Sequence, residues 1–289
     1  MYNNTRKPNS TNELFKMEEK TMKLFQKMIA LVMTLCLVCA AGMALAEDTL
    51  VDKIKAKGVL VVGTEATYPP YEYIDDDGNF AGCDIWLAEQ IAAALGVKLE
   101  MQDMAFDGII PAVQSGMVDM GLAAFTITEE RAQVIDFTNQ YEKSAQLLIV
   151  KAGNADTYST KEALAGQKVG AQLGTIQSEL VVKALPDSEL FELAKYPDLA
   201  LETKNGNIAG FVVDYAVGMS LVEQSEGALE VANFAFSDEE ASFGKAGIVA
   251  KGNDAFMEIV NQVIDQAVAD GSYQAAYDAA VAATGATGD

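Results

Sequence analysis

LAAFTITEERAQVIDFT, residues 122–138, decides how the rest of the chain is read. It reads as the end of a buried strand, a short polar turn, a helix start and then another strand. Thr128 is placed to cap the helix, and Glu129 and Glu130 fall in the first turn, where negative charge suits the helix dipole. Arg131 follows one turn in. Its rigid guanidinium fork matches a carboxylate in two parallel bonds. Backbone N–H groups from Ala124 to Thr128 are further donors for the same anion. The pattern is that of a site for a small carboxylic acid, although a surface helix with a solvated arginine has the same residues.

Composition narrows the choices. The chain has 289 residues, a formal charge of −22 and no histidine. Ser-His-Asp and Cys-His catalysis are therefore excluded, as is an imidazole-based zinc site. Lys23 and Lys27 precede an apolar run from Met28 that ends in Ala44-Leu45-Ala46. A positive segment, an apolar segment and an A-x-A site read as an export signal over residues 1–46, cut after Ala46. Met22 is the expected true start, with residues 1–21 an upstream extension. The apolar run is near the length that spans a bilayer, so an uncleaved anchor is the competing reading. Cys36 and Cys39 follow Leu35 and Val38, where a lipid-attachment signal needs a small residue, so a lipid anchor is disfavoured. Cleavage leaves 14 basic and 39 acidic residues, a charge of −25, and one cysteine, Cys83. That charge argues against nucleic acid and anionic membranes as partners. Cys83 is expected to be buried and inert.

From Val51 the chain alternates strand and helix. Val59–Val62 is an apolar run between Gly58 and Gly63, as in a strand covered on both faces. Asp75–Asn79 is a turn. Helices are expected at Asp84–Leu95 and from an Asp107 cap through Ser115, with strands at Val97–Met101 and Met117–Leu122. Tyr141–Val150 runs extended into a second unit. Its strands are expected at 169–171, 190–194 and 210–213, and its helices after Gly174, at 197–203 and at 215–223. The chain then returns through a strand at 247–250 and helices at 254–269 and 273–283. This pattern predicts an α/β fold of two lobes, each a mostly parallel sheet flanked by helices. The expected division is 47–143 for the first part of lobe 1, 144–237 for lobe 2 and 238–289 for the return, with crossings near 142–147 and 234–241.

The chemistry-bearing residues collect at strand ends. Glu65 and Tyr68 follow the first strand, Phe106 the second, Thr126 and Arg131 the third. Gln172, Ile176 and Gln177 follow the first strand of the second lobe, and Asp214 its last. Ligands of open parallel sheets bind outside these ends, and two facing lobes make a cleft. Arg131 suits an α-carboxylate and Asp214 an α-ammonium, although Asp214 would also serve as a helix cap. A zwitterion would satisfy both lobes at once and favour closure.

The chain resembles the extracytoplasmic solute-binding proteins of the polar amino-acid family, family 3, the type II receptors of ABC importers. The resemblance is carried by VGTEATYPPYEY (62–73), GNFAGCDIWLAEQIAAALG (78–96), VGAQLGTIQSE (169–179) and, most specifically, FDGIIPAVQSGMVDMGLAAFTITEERAQVIDFT (106–138). It implies that Arg131 holds the α-carboxylate, with Thr126 and the backbone near Ala124 donating to it. Asp214 would hold the α-amino group, and Tyr68 and Phe106 would flank the side chain. Glu65 would face its polar end, with Gln172 and the loop through Ile176 to Gln177 closing over it. A basic amino acid, glutamine and cystine all remain open as ligand. Members selective for basic amino acids often carry serines where Ala123 and Ala124 stand. The resemblance further implies a monomer in the periplasm or cell envelope, a membrane permease as partner, and no cofactor or catalysis. An enzyme of the dehydratase kind acting on prephenate-like acids, with Glu65 as its acid or base, and an amino-acid sensor are the competing readings.

Overall fold

The computed structural model describes residues 49–237 and 243–285, together with Met22 and Met28. The segment read as an export signal otherwise lies outside these residues, as does part of the expected crossing at 234–241. In chain order the first lobe contains α1 (Leu50–Lys57), β1 (Val59–Thr64), β2 (Thr67–Tyr68), β3 (Glu72–Ile74), β4 (Phe80–Ala81), α2 (Cys83–Leu95) and β5 (Lys98–Asp103). It continues with α3 (Phe106–Ser115), β6 (Met120–Thr126), α4 (Glu129–Ala132), β7 (Asp136–Phe137) and β8 (Glu142–Ser144). The second contains β9 (Gln146–Lys151), β10 (Lys168–Gln172), α5 (Ile176–Ala184), β11 (Glu189–Leu193), α6 (Tyr196–Asn205), β12 (Gly210–Asp214), α7 (Tyr215–Glu223) and β13 (Leu229–Val231). The return consists of β14 (Phe243–Val249), α8 (Asp254–Ala269) and α9 (Ser272–Thr284).

Two sheets result. The first runs β5-β1-β6-β14-β7, with β8 also paired to β14, and the second β11-β10-β12-β9-β13. In each, three strands are parallel and carry the site at their carboxyl ends. β14 and β9 run antiparallel to them, so the sheets are mixed. The extended stretch expected at Tyr141–Val150 is divided between the two. β8 belongs to the first sheet and β9 to the second, and Ala145 alone separates them.

The local reasons are visible in the sequence. Thr49 and Asp52 form a reciprocal capping box at the start of α1, with Asp52 N–H on Thr49 Oγ1 at 3.2 Å and Thr49 N–H on Asp52 Oδ2 at 3.1 Å. Gly58, Gly96 and Gly116 end their helices in the left-handed conformation. Asp107, expected to cap α3, does not. The helix begins two residues earlier than that cap implies, and Ala105 takes the cap position in extended backbone without a side-chain bond. β6 also starts later than expected. Asp119 pins the preceding turn, accepting from Val61 N–H at 2.7 Å and Lys57 Nζ at 2.8 Å. The strand then runs to Thr126 and delivers its end to the cleft. The returning α8 buries Phe256, Val260 and Ile264 in the core that holds Leu87, Ile91 and Leu95 of α2. Each such side chain contributes about 1.5–3 kcal/mol on burial. Cys83, fully buried at the start of α2, lies 3.5 Å from the Tyr273 hydroxyl of α9.

Candidate functional site

All ten residues singled out from the sequence line one cavity between the lobes: Glu65, Tyr68, Phe106, Ala124, Thr126, Arg131, Gln172, Ile176, Gln177 and Asp214. Glu72, Ala123, Thr175 and Lys245 complete its wall. The enclosed space is about 20 Å³, room for little more than a water molecule. Most of the polar groups around it bond to one another, and Glu72 is the exception.

Arg131 is held as its sequence position predicts. Thr128 Oγ1 accepts the Arg131 backbone N–H at 3.2 Å and so caps α4. The guanidinium lies 5.3 Å from the ring centre of Phe106 and 5.5 Å from that of Phe125, which stack on each other at 4.7 Å. Its Nη1 donates to the Thr126 carbonyl at 2.9 Å, and Nη2 crosses to the Gly174 carbonyl of the second lobe at 3.0 Å. Burial lowers its pKa to about 10, so it remains a cation at neutral pH. Its two acceptors are neutral carbonyls, so among the described residues the charge has no carboxylate partner within hydrogen-bond reach.

The backbone at Ala124 is not the free donor expected. Its N–H is spent on Asp84 Oδ2 at 2.9 Å, and Ala124 sits at φ 47°, a left-handed conformation uncommon for alanine. Asp84 also accepts from Tyr141 OH at 2.9 Å, and burial raises its pKa to about 6. The bond from Asp84 thus fixes an unusual backbone turn inside the strand that forms the cavity floor.

Asp214 ends β12 and occupies the cap position of α7, yet its side chain makes no cap bond. It turns into the cavity instead. Tyr68 OH donates to its Oδ2 at 2.5 Å, and the Gln146 amide donates to Oδ1. The ammonium of Lys245 forms an ion pair with it, both side chains 1% exposed. Gln177 Nε2 donates to Gln146 Oε1 at 2.8 Å, so the first turn of α5 supports the same carboxylate indirectly. Tyr68 also places its ring 5.3 Å from that of Tyr196 in the second lobe.

Glu65 is buried at the other end. Thr67 Oγ1 donates to Oε1 at 2.5 Å, Gln172 Nε2 lies 3.3 Å from Oε2, and Lys195 Nζ is 3.9 Å away. Desolvation raises its pKa, and the hydrogen bonds and Lys195 oppose this in part. Gln172 is itself anchored by the Ala194 carbonyl at 2.9 Å. Ile176 adds an apolar wall at the start of α5.

Sequence reasoning missed Lys245 and Glu72. Lys245 is the one charge in the run FGKAGIV, and a lone lysine in an apolar strand was the available signal. Glu72 lies on β3 opposite Tyr68. Both of its carboxyl oxygens are buried without a hydrogen-bond partner, and burial pushes its pKa well above the usual carboxylate range. Among the described residues no group of three histidine, cysteine or acidic side chains is arranged to hold a metal. No helix among them is long and apolar enough to cross a membrane.

Comparison with known proteins gives a consistent picture. The chain is 31% identical over 249 residues to the L-cystine-binding protein TcyJ of Escherichia coli strain K12, covering 85% of this chain and 92% of that protein. Its structure matches that of the amino acid ABC transporter substrate-binding protein AbpA from Streptococcus pneumoniae bound to L-arginine. The TM-score is 0.77 at 32% identity, covering 81% of this chain and 98% of the other. It also matches the ancestral amino acid-binding protein AncCDT-1, described as a precursor of cyclohexadienyl dehydratase, with a TM-score of 0.72 at 31% identity, covering 81% and 99%. Residues 60–281 match the model of the bacterial extracellular solute-binding proteins, family 3. With two α/β lobes and a cleft at their strand ends, this chain belongs to family 3 of the bacterial extracellular solute-binding proteins.

Proposed function

We propose that the protein is the substrate-binding component of an ABC importer, capturing a polar amino acid between its lobes and delivering it to a membrane permease. The observation that carries this reading is the pairing of opposite charges on opposite lobes of one cavity, Arg131 on the first and Asp214 on the second. A zwitterion with its carboxylate on Arg131 and its ammonium on Asp214 bridges the lobes only when they close. Its stronger contacts in the closed state drive closure. The cavity as it stands is too small for an amino acid, so entry requires the lobes to part, with 144–237 moving against 47–143 and 238–289. Ala145 is the natural pivot of one crossing. Thr126, Tyr68 and Phe106 position the ligand, Glu65 meets the polar end of its side chain, and Gln172, Ile176 and Gln177 close from the second lobe. A basic amino acid, glutamine and cystine all suit this arrangement. The export signal at 1–46 would place a monomeric receptor in the periplasm or cell envelope.

A thermal-shift screen of the chain from Glu47 onward, refolded to strip bound ligand, tests the reading. L-Arginine, L-glutamine and L-cystine form the first panel. A ligand at about a hundred times its Kd stabilises by roughly 2.7 kcal/mol. The shift is expected for at least one of them and is expected to vanish in Arg131→Ala. A shift that persists in Arg131→Ala would refute the site.

The observation favouring an enzyme is Glu65, a carboxyl whose pKa burial raises, which is the property of a general acid. Prephenate turnover is the assay, and none is expected.

A further inference from the structure

The ammonium subsite is already filled by the protein. Lys245 stands on β14, between Thr126 of β6 and Glu142 of β8 in register. Its side chain is 1% exposed and points across the cleft to Asp214, which also receives Tyr68 OH and the Gln146 amide. Lys245 Nζ lies 3.5 Å from Thr126 Oγ1, beside the Arg131 end of the cavity. A primary ammonium, a guanidinium and a carboxylate are therefore set as an amino acid's own head group requires, before any ligand arrives.

We propose that Lys245 stands in for the α-ammonium of the ligand, so that this site accepts carboxylic acids lacking an α-amino group as well as amino acids. The inference rests on the reading of Arg131 as the carboxylate subsite and Asp214 as the ammonium subsite. Its physical basis is what each kind of ligand leaves behind. A site whose buried aspartate depends on the ligand for a counter-charge rejects an analogue without the amino group by about 10⁴-fold or more, because the carboxylate is left buried and unpaired. Here a des-amino acid leaves Lys245 on Asp214, so the aspartate keeps its counter-charge. An amino acid instead claims Asp214 and displaces Lys245. The displaced ammonium has an acceptor in the same cavity wall, since both Glu72 oxygens are buried without a partner. Glu72 and Lys245 already face each other electrostatically, and Lys245 opposes the upward push of burial on Glu72. The exchange keeps each charge paired with either class of ligand.

Isothermal titration of matched pairs tests this: L-arginine against 5-guanidinopentanoate, L-glutamine against 4-carbamoylbutanoate, L-cystine against 3,3′-dithiodipropanoate. For the pair that binds, the parent is expected to hold both members within about tenfold of each other. In Lys245→Met the ratio is expected to widen at least a hundredfold, by loss of the des-amino acid while the amino acid is kept or tightened. Lys245→Gln, which retains a donor to Asp214 without the charge, is expected between the two and serves if the methionine variant does not fold. The ratio within one protein is the readout, since a merely structural lysine would weaken both members alike. A parent that already rejects the des-amino acid a hundredfold, with a ratio unchanged in both variants, overturns the proposal and leaves the amino-acid reading intact. Binding of a des-amino acid alone overturns both the amino-acid reading and the proposed exchange at Asp214. Binding of no compound overturns both.

Discussion

At the scale of single residues, buried carboxyls in and behind the site set the pH behaviour. Glu142 places one oxygen on Tyr71 OH at 2.9 Å and leaves the other without a partner, and burial raises its pKa to about 7. A carboxyl that holds its proton more tightly when folded makes the native state the better proton binder between the two pKa values. Stability is therefore expected to be greatest at and below the unfolded value near 4.5, to fall as pH rises to about 7, and to level off above it. The span corresponds to about 3 kcal/mol as an upper figure for this one group. Asp84, at about 6, and Glu72 act in the same direction. Melting temperatures from pH 5 to 8 check this, and Glu142→Gln is expected to flatten the decline without abolishing it. Glu65 acts on selectivity instead. Replacing Glu65 with Gln keeps the hydrogen-bonding shape and removes the charge, so a cationic ligand is expected to weaken about tenfold while a neutral one changes little, as titration calorimetry would show.

At the scale of elements, the loop after β1 and the helix after it hold each other. Pro70 and Tyr71 carbonyls accept the first N–H groups of α2, from Cys83 at 3.1 Å and Asp84 at 2.9 Å. Gly82 makes this approach possible. It lies at φ 119°, and a Cβ there would stand 2.1 Å from the Tyr71 carbonyl oxygen. Gly82→Ala is expected to cost at least about 2 kcal/mol, read as a lowered urea midpoint, because both the conformation and the space are lost. Gly108→Ala is the opposing case. It sits inside α3 with nothing within 4 Å of an added Cβ, and is expected to stabilise by about 0.5–1 kcal/mol. The same contrast explains what was legible in the sequence. Apolar runs such as Val59–Val62, and Arg131 behind its Thr128 cap, declare themselves because their causes are local. The ten lining residues follow because strand ends converge in any such fold. The use of the Ala124 N–H by Asp84, forty residues away, was not legible, nor was the reach of Lys245 to Asp214 across two sheets. Those bonds depend on how elements distant in sequence come to rest.

At the scale of the whole molecule, the bonds that join the lobes at the cleft among the described residues centre on Arg131, Asp214 and Glu65. Saturating the stripped protein with a binding amino acid is expected to lower its radius of gyration in solution scattering, and the Arg131→Ala variant is expected to show no change. The strong negative charge of the chain from Glu47 onward adds a kinetic expectation. Association with a cationic ligand should slow as salt is raised, whereas association with a neutral one should not. Cys83 offers a different kind of access to the same molecule. It is the only thiol in that stretch of chain, it is sealed between α2 and α9, and burial pushes its ionisation well above the ordinary range. Cys83 does not line the cavity, and separation of α9 from α2 is expected to bare it. The protein thus carries its own stopwatch: the rate at which a thiol reagent marks Cys83 is expected to time the parting of α9 from α2.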